Sequence, residues 1–148
     1  AYQKTSKRKP VATAKFYWFD VGVARALLGA KELVPNSQAW GKALEHQVFL
    51  ELRAYLDYRR LDQPLTFWRS QSKLEVDFVV GETLAVEVKA TGRVSPADIK
   101  GLRALAEELD LKHRVVVCSE SSERVVESGV RIVPFARFVE LLWSGFFV

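Results

Sequence analysis

Asp77, Glu87 and Lys89 interrupt two otherwise apolar runs, LEVDFVV (74–80) and LAVEVKA (84–90), and no other stretch of the 148-residue chain has residue types better suited to chemistry. Alternation along a strand puts Leu74, Val76, Phe78 and Val80 on one face and leaves Glu75 and Asp77 on the other. In the second run Leu84, Val86 and Val88 face the core, so Glu87 and Lys89 point away from it. Both apolar sets share a face only if paired residue numbers have an even sum, which the odd turn Gly81-Glu82-Thr83 provides. That register sets Asp77 opposite Glu87 and Glu75 opposite Lys89. Opposed carboxylates with Cβ atoms about 4.5–5.5 Å apart repel unless something positive lies between them. Mg²⁺ or Mn²⁺, held by one or two carboxylates with water and phosphate completing the shell, is an economical solution. A water-exposed cross-strand charge ladder, with Lys89 beside the two acids, accounts for the same residues.

A fourth residue comes from the clearest helix, GKALEHQVFLELRAYLDYRR (41–60). Leu44, Val48, Phe49, Leu52, Tyr55 and Leu56 recur at helical spacing, and Glu45 falls inside their arc. A carboxylate facing the core needs a partner, either a cation such as Arg69 or a shared metal. Glu45, Asp77, Glu87 and Lys89 then form a site of three acids and a base. Arg69, Ser70 and Lys73, in FWRSQSK, are placed to contact a phosphate beside it, because arginine forks match phosphate oxygens. Trp68 alternates to the core side.

These residues need positioning elements. LTFWRS (65–70) precedes the two charged strands at a spacing that predicts an antiparallel meander. SPADIKGLRALAEELDL (95–111) predicts a helix of about four turns, with Ser95 as cap, Pro96 in the first turn and Asp98 completing the box. HRVVVCS (113–119) is apolar throughout, as expected of a parallel strand buried on both faces. GVRIVPF adds a shorter strand, SESSE a polar loop, and PFARFVELLW a closing amphipathic helix begun by Pro134. Upstream, KFYWF reads as a short aromatic strand, with Asp20 capping a small helix that Gly29 stops. Residues 1–15, with Lys4, Lys7, Arg8 and Lys9, read as a basic linker, and residues 16–148 as one domain.

Hydrophobic residues at 49% and charged residues at 27% suit a single globular domain. No apolar stretch reaches the roughly 20 residues of a membrane helix, and no export signal opens the chain. With one cysteine, Cys118, the expectation is a cytoplasmic protein without a membrane partner. The net charge of +4 permits an anionic partner without requiring one. No methionine occurs, even at position 1, which predicts a piece of a longer protein. His46, on the polar side of its helix, and His113 lack zinc-ligand spacing, and no phosphate-binding glycine loop occurs.

EVDFVV followed by VEVK, after a helix with an inward Glu, resembles the PD-(D/E)xK nuclease superfamily and its restriction-endonuclease-like core. The expected fold is therefore α/β and three-layered, αβββαβ over residues 41–119, with a mixed central sheet flanked by helices. KFYWFDVGVARALLG, GKALEHQVFLEL, FWRS, EVDFVV and VEVKA together resemble the C-terminal domain of predicted prokaryotic AAA-type ATPases. The resemblance implies that Asp77, Glu87 and the Val88 carbonyl ligate Mg²⁺ or Mn²⁺, with Glu45 as a further ligand or water-positioning group. Lys89 becomes the base-like or charge-stabilising cation, although Val76 stands where the superfamily has proline. The implied activity is phosphodiester hydrolysis of nucleic acid, DNA before RNA, next to an ATPase module of the parent chain. A non-catalytic module is the alternative, one that binds nucleic acid, forms a homo-oligomer or docks an ATPase through FYWF and LLWSGFFV.

Overall fold

The longest helix begins where the Ser37 hydroxyl accepts a hydrogen bond from the Trp40 amide at 3.1 Å. The computed structural model describes residues 14–148 apart from Ala30, Lys31, Leu33, Asn36 and Glu127, so the basic run from Lys4 to Lys9 lies outside the described residues. Its elements are α1 (Val21–Leu27), α2 (Gln38–Tyr58), β1 (Leu65–Arg69), β2 (Glu75–Val80), β3 (Leu84–Lys89), α3 (Lys100–Ala106), β4 (His113–Cys118), β5 (Arg124–Val125), β6 (Arg131–Pro134) and α4 (Phe135–Trp143). The sheet order is β1-β2-β3-β4-β6-β5. The first three strands form the antiparallel meander, β3 to β4 to β6 is parallel, and β5 closes one edge antiparallel.

Helices cover both sheet faces, giving three layers. Val48, Leu52, Tyr55 and Leu56 of α2 pack with Phe138 and Leu142 of α4 on Phe78, Val80, Leu84, Val86 and Val88. On the opposite face Leu102 and Leu105 of α3 pack on Trp68, Val76, Val79 and Ala85. β4 divides its side chains between the faces: Val115 and Val117 meet α2, and Val116 meets α3. Cys118 is buried and free.

One irregularity rearranges the strand faces. Leu65 pairs with Val80 and Thr66 with Val79, yet Trp68 pairs with Val76 and Arg69 with Glu75. β2 therefore carries one extra residue, in Asp77–Phe78 opposite Phe67, and a bulge resets the two-residue alternation. Leu74 and Val76 consequently pack on the α3 side and Phe78 and Val80 on the α2 side. Strict alternation puts all four on one face, which the bulge corrects.

Other expectations shift for local reasons. α2 begins at Gln38, about a turn before position 41, because Ser37 supplies the cap. Residues 16–19 form no strand and run as irregular chain to Asp20, whose carboxylate accepts the Val23 amide at 2.8 Å and starts α1. α3 is much shorter than four turns. The Asp98 carboxylate takes both the Ser95 amide (2.8 Å) and hydroxyl (2.6 Å), which closes residues 95–98 into a turn. The helix then starts at Lys100. Gly101 lets it start against β2, because a Cβ there would lie 1.9 Å from the Glu75 carbonyl oxygen.

Candidate functional site

β2, β3, α2 and the start of α3 enclose an open cleft of about 800 Å³. Glu45, Asp77, Glu87, Val88 and Lys89 all line it, with Lys15 and Glu75 beside them. Arg69, Lys73, Lys42 and Lys100 also line it. An acidic centre with added lysines and an arginine is an arrangement that attracts a polyanion while leaving room for a cation.

Each acid reaches the centre by a different route. The β2–β3 turn sets the expected register, pairing Phe78 with Val86, Val79 with Ala85 and Val80 with Leu84. The ladder stops short of Asp77, whose Oδ2 accepts the Val88 amide at 3.0 Å. That bond fixes the Asp77 carboxylate against β3. Glu87 does not face water, since α3 covers its side of the sheet and the residue is 6% exposed. Its Oε1 lies 2.6 Å from Lys89 Nζ. Its Oε2 is buried and has no hydrogen-bond partner among the described residues.

The remaining two acids face a residue outside the sheet. Lys15 Nζ lies 3.0 Å from Glu45 Oε1, 3.0 Å from Asp77 Oδ1 and 3.2 Å from Glu75 Oε1. The Tyr17 hydroxyl donates to the same Glu45 oxygen at 2.6 Å. Glu45 thus has partners other than Arg69, which reaches Glu75 instead at 2.8 Å. Residues 15–18 are held along α2 by the stacking of Tyr17 on Phe49 at 4.3 Å and by a bond of His46 Nε2 to the Trp18 carbonyl at 2.6 Å. His46 is consequently buried, which corrects its place on the polar side of the helix.

Protonation follows from burial and from these pairings. Burial pushes Glu87 up to about 8, the Asp77 charge adds to it, and Lys89 only partly opposes them. Asp77 is also raised, by burial first, against the opposing pull of Lys15. Burial is the largest influence on Lys89 and works to lower it, but the charge and hydrogen bond of Glu87 together with the Asp77 and Asp98 charges more than offset it and raise the ammonium above its ordinary value. Lys15 is raised in the same way, with Asp77 and Glu45 overcoming burial. Glu75 is lowered despite burial, because Arg69 and Lys15 hold its charged form.

An all-oxygen donor set of this kind suits a hard divalent ion. A buried acceptor without a partner costs about 1–3 kcal/mol, so Glu87 Oε2 calls for a proton or a cation. Asp77 and Glu87 supply carboxylate oxygens of that kind, and Glu45 lines the same cleft. Among the described residues no three His, Cys, Asp or Glu side chains already converge as a metal cage. Lys15 stands among three of the acids.

The other sequence candidates divide. Arg69 and Lys73 line the cleft, but Ser70 does not. Ser70 is 2% exposed, and its hydroxyl is taken by Ser72 and the Leu74 amide in the β1–β2 turn. Lys15, Tyr17 and Glu75 were not singled out from sequence. The signal for the first two was the alternation in KFYW, which leaves Phe16 and Trp18 exposed and turns Lys15 and Tyr17 inward. LLWSGFFV is largely core rather than interface, with Leu142 and Phe147 buried and Phe146 exposed. Among the described residues no helix is long and apolar enough to cross a membrane.

Residues 40–138 match the family described as Domain of unknown function (DUF4143), a span that contains Glu45, Asp77, Glu87 and Lys89. No curated protein and no solved structure matches the chain.

Proposed function

The chain belongs to the DUF4143 family, and we propose that it is a metal-dependent nuclease domain of the PD-(D/E)xK type, hydrolysing phosphodiesters in DNA before RNA. The observation that carries this is Glu87 Oε2, a buried carboxylate oxygen without a partner among the described residues, beside Asp77 and Lys89 in a cleft that also exposes basic side chains. Asp77, Glu87 and the Val88 carbonyl would hold Mg²⁺ or Mn²⁺, with Glu45 as a further ligand or an orienting group for water. When bound, such an ion lowers the pKa of a water molecule and offsets charge on the phosphoryl oxygens. Lys89, whose protonated form the surrounding carboxylates favour, acts as a cation toward the developing phosphoryl charge rather than as a base. The Val88 amide holds the Asp77 carboxylate in place throughout. Arg69, Lys73, Lys42 and Lys100 receive the flanking phosphates. An ATPase module in the parent chain would present the nucleic acid.

Lys15 supports a second proposal, a catalytically silent module with the same fold, because its ammonium already neutralises part of the acidic centre. Plasmid and oligonucleotide cleavage with Mg²⁺ or Mn²⁺ separates the two. Nuclease activity predicts cleavage by the wild type and a loss of about 10²–10³-fold in Asp77→Ala and Lys89→Ala. Cleavage untouched by both substitutions would remove the assigned site, and an inert wild type would favour the silent module.

A further inference from the structure

Three carboxylates around one ammonium is an arrangement the nuclease chemistry does not use. Glu45 Oε1, Asp77 Oδ1 and Glu75 Oε1 lie 3.0, 3.0 and 3.2 Å from Lys15 Nζ, and the Lys15 side chain is 22% exposed. We propose that Glu45, Glu75 and Asp77 form a cation position of their own, that Lys15 fills it as a tethered counter-cation, and that a divalent ion must compete with Lys15 to enter the cleft. This rests on the cleft being a metal site, and it adds Glu75 and Lys15 to the residues that govern it.

Oxygen spacing carries the inference. An ammonium holds carboxylate oxygens near 3 Å, as these three are held, whereas Mg²⁺ draws them to about 2.0–2.1 Å. The acids are spread to suit Lys15, which accounts for their failure to converge as a metal cage among the described residues. Charge points the same way. Among the described residues one ammonium faces three acids, and the added cation is Arg69, 2.8 Å from Glu75 on its other oxygen. The second observation is Glu87 Oε2, on a residue 6% exposed, which has no partner among the described residues and lies in the same cleft. The cleft therefore pairs a filled cation position with an unmet acceptor, and Asp77 belongs to both. Lys15 sits two residues before Tyr17, whose ring is stacked on Phe49, so its side chain can withdraw while the segment stays anchored.

Calorimetric titration of Mn²⁺ into the full chain tests this, with thermal melting in parallel. Lys15→Met keeps the apolar stem and removes the charge. It is expected to bind Mn²⁺ at least about tenfold more tightly than the wild type, with a larger Mn²⁺-dependent rise in Tm. Equal or weaker binding by Lys15→Met would overturn the competition while leaving the metal site intact. Should three unscreened acids prevent folding, Lys15→Met/Glu75→Gln relieves the repulsion and is expected to bind more tightly than Glu75→Gln alone. Equal affinity of those two proteins would also overturn it. No saturable Mn²⁺ binding in any of these proteins would remove the metal site itself, and the competition with it.

Discussion

Glu45, Glu75 and Asp77 meet a lysine from outside the sheet, whereas Glu87, one strand away, pairs among the described residues with Lys89 alone and keeps a buried oxygen that has no partner among them. The first group is neutralised by a side chain carried on irregular chain. The second is buried by the three-layer fold, because β3 lies between two packed faces. The difference teaches that acidity in this cleft has two origins. One half gathers charge and compensates it with the Lys15 ammonium, and the other leaves one acceptor to be met by a proton or a cation. Asp77 joins them, with Oδ1 facing Lys15 and Oδ2 held by the Val88 amide.

The larger test of this contrast is pH. The Glu87 carboxyl is raised from its ordinary 4.5 to about 8 by burial and by Asp77, so the metal-free fold binds a proton that the unfolded chain releases. Its contribution to stability is full below 4.5 and is lost as pH rises through 8. Glu75, Asp77 and Lys89 are the charged groups that act on it. Glu87→Gln mimics the protonated form and is expected to flatten that decline, a difference of up to about 5 kcal/mol between the two ends of the window by urea denaturation. A wild-type decline that survives the substitution would assign it to another group. Saturating Mn²⁺ is expected to flatten it as well.

A smaller effect probes the compensated half. Tyr17→Phe keeps the stack on Phe49 and removes the hydroxyl from Glu45, a loss of about 1.5 kcal/mol for a hydrogen bond to a charged group. The change is expected to be independent of pH between about 7 and 9, the range in which Glu87 titrates. A cost that grows across that range would couple the two halves more tightly than the geometry implies.

Much of the layout was legible in the residues. The odd turn Gly81-Glu82-Thr83 gave the β2–β3 register, and the apolar HRVVVC run gave a parallel strand buried on both faces. Glu45 reached the cleft because its position on the helical arc is fixed by periodicity. What could not be read was non-periodic. The bulge at Asp77–Phe78 has no local signature, yet it moves Leu74 and Val76 to the α3 face. Ser70 had the right polarity for phosphate, but the β1–β2 turn claims its hydroxyl. Lys15 sat at the end of a stretch that composition reads as linker, and only tertiary packing of Tyr17 on α2 brings it among the acids. The exposed face expected for Glu87 and Lys89 is covered because α3 crosses it, a contact that Gly101 permits.

The most direct measurement is single-turnover cleavage of an end-labelled DNA duplex by the full chain in Mn²⁺, wild type beside Glu87→Gln, which keeps the shape of the side chain and removes its charge. The predicted result is Mn²⁺-dependent cleavage by the wild type and a rate lower by about 10²–10³-fold in the variant. Equal rates for the two proteins, or no cleavage by the wild type with any divalent ion, would contradict a metal-dependent nuclease built on Glu87.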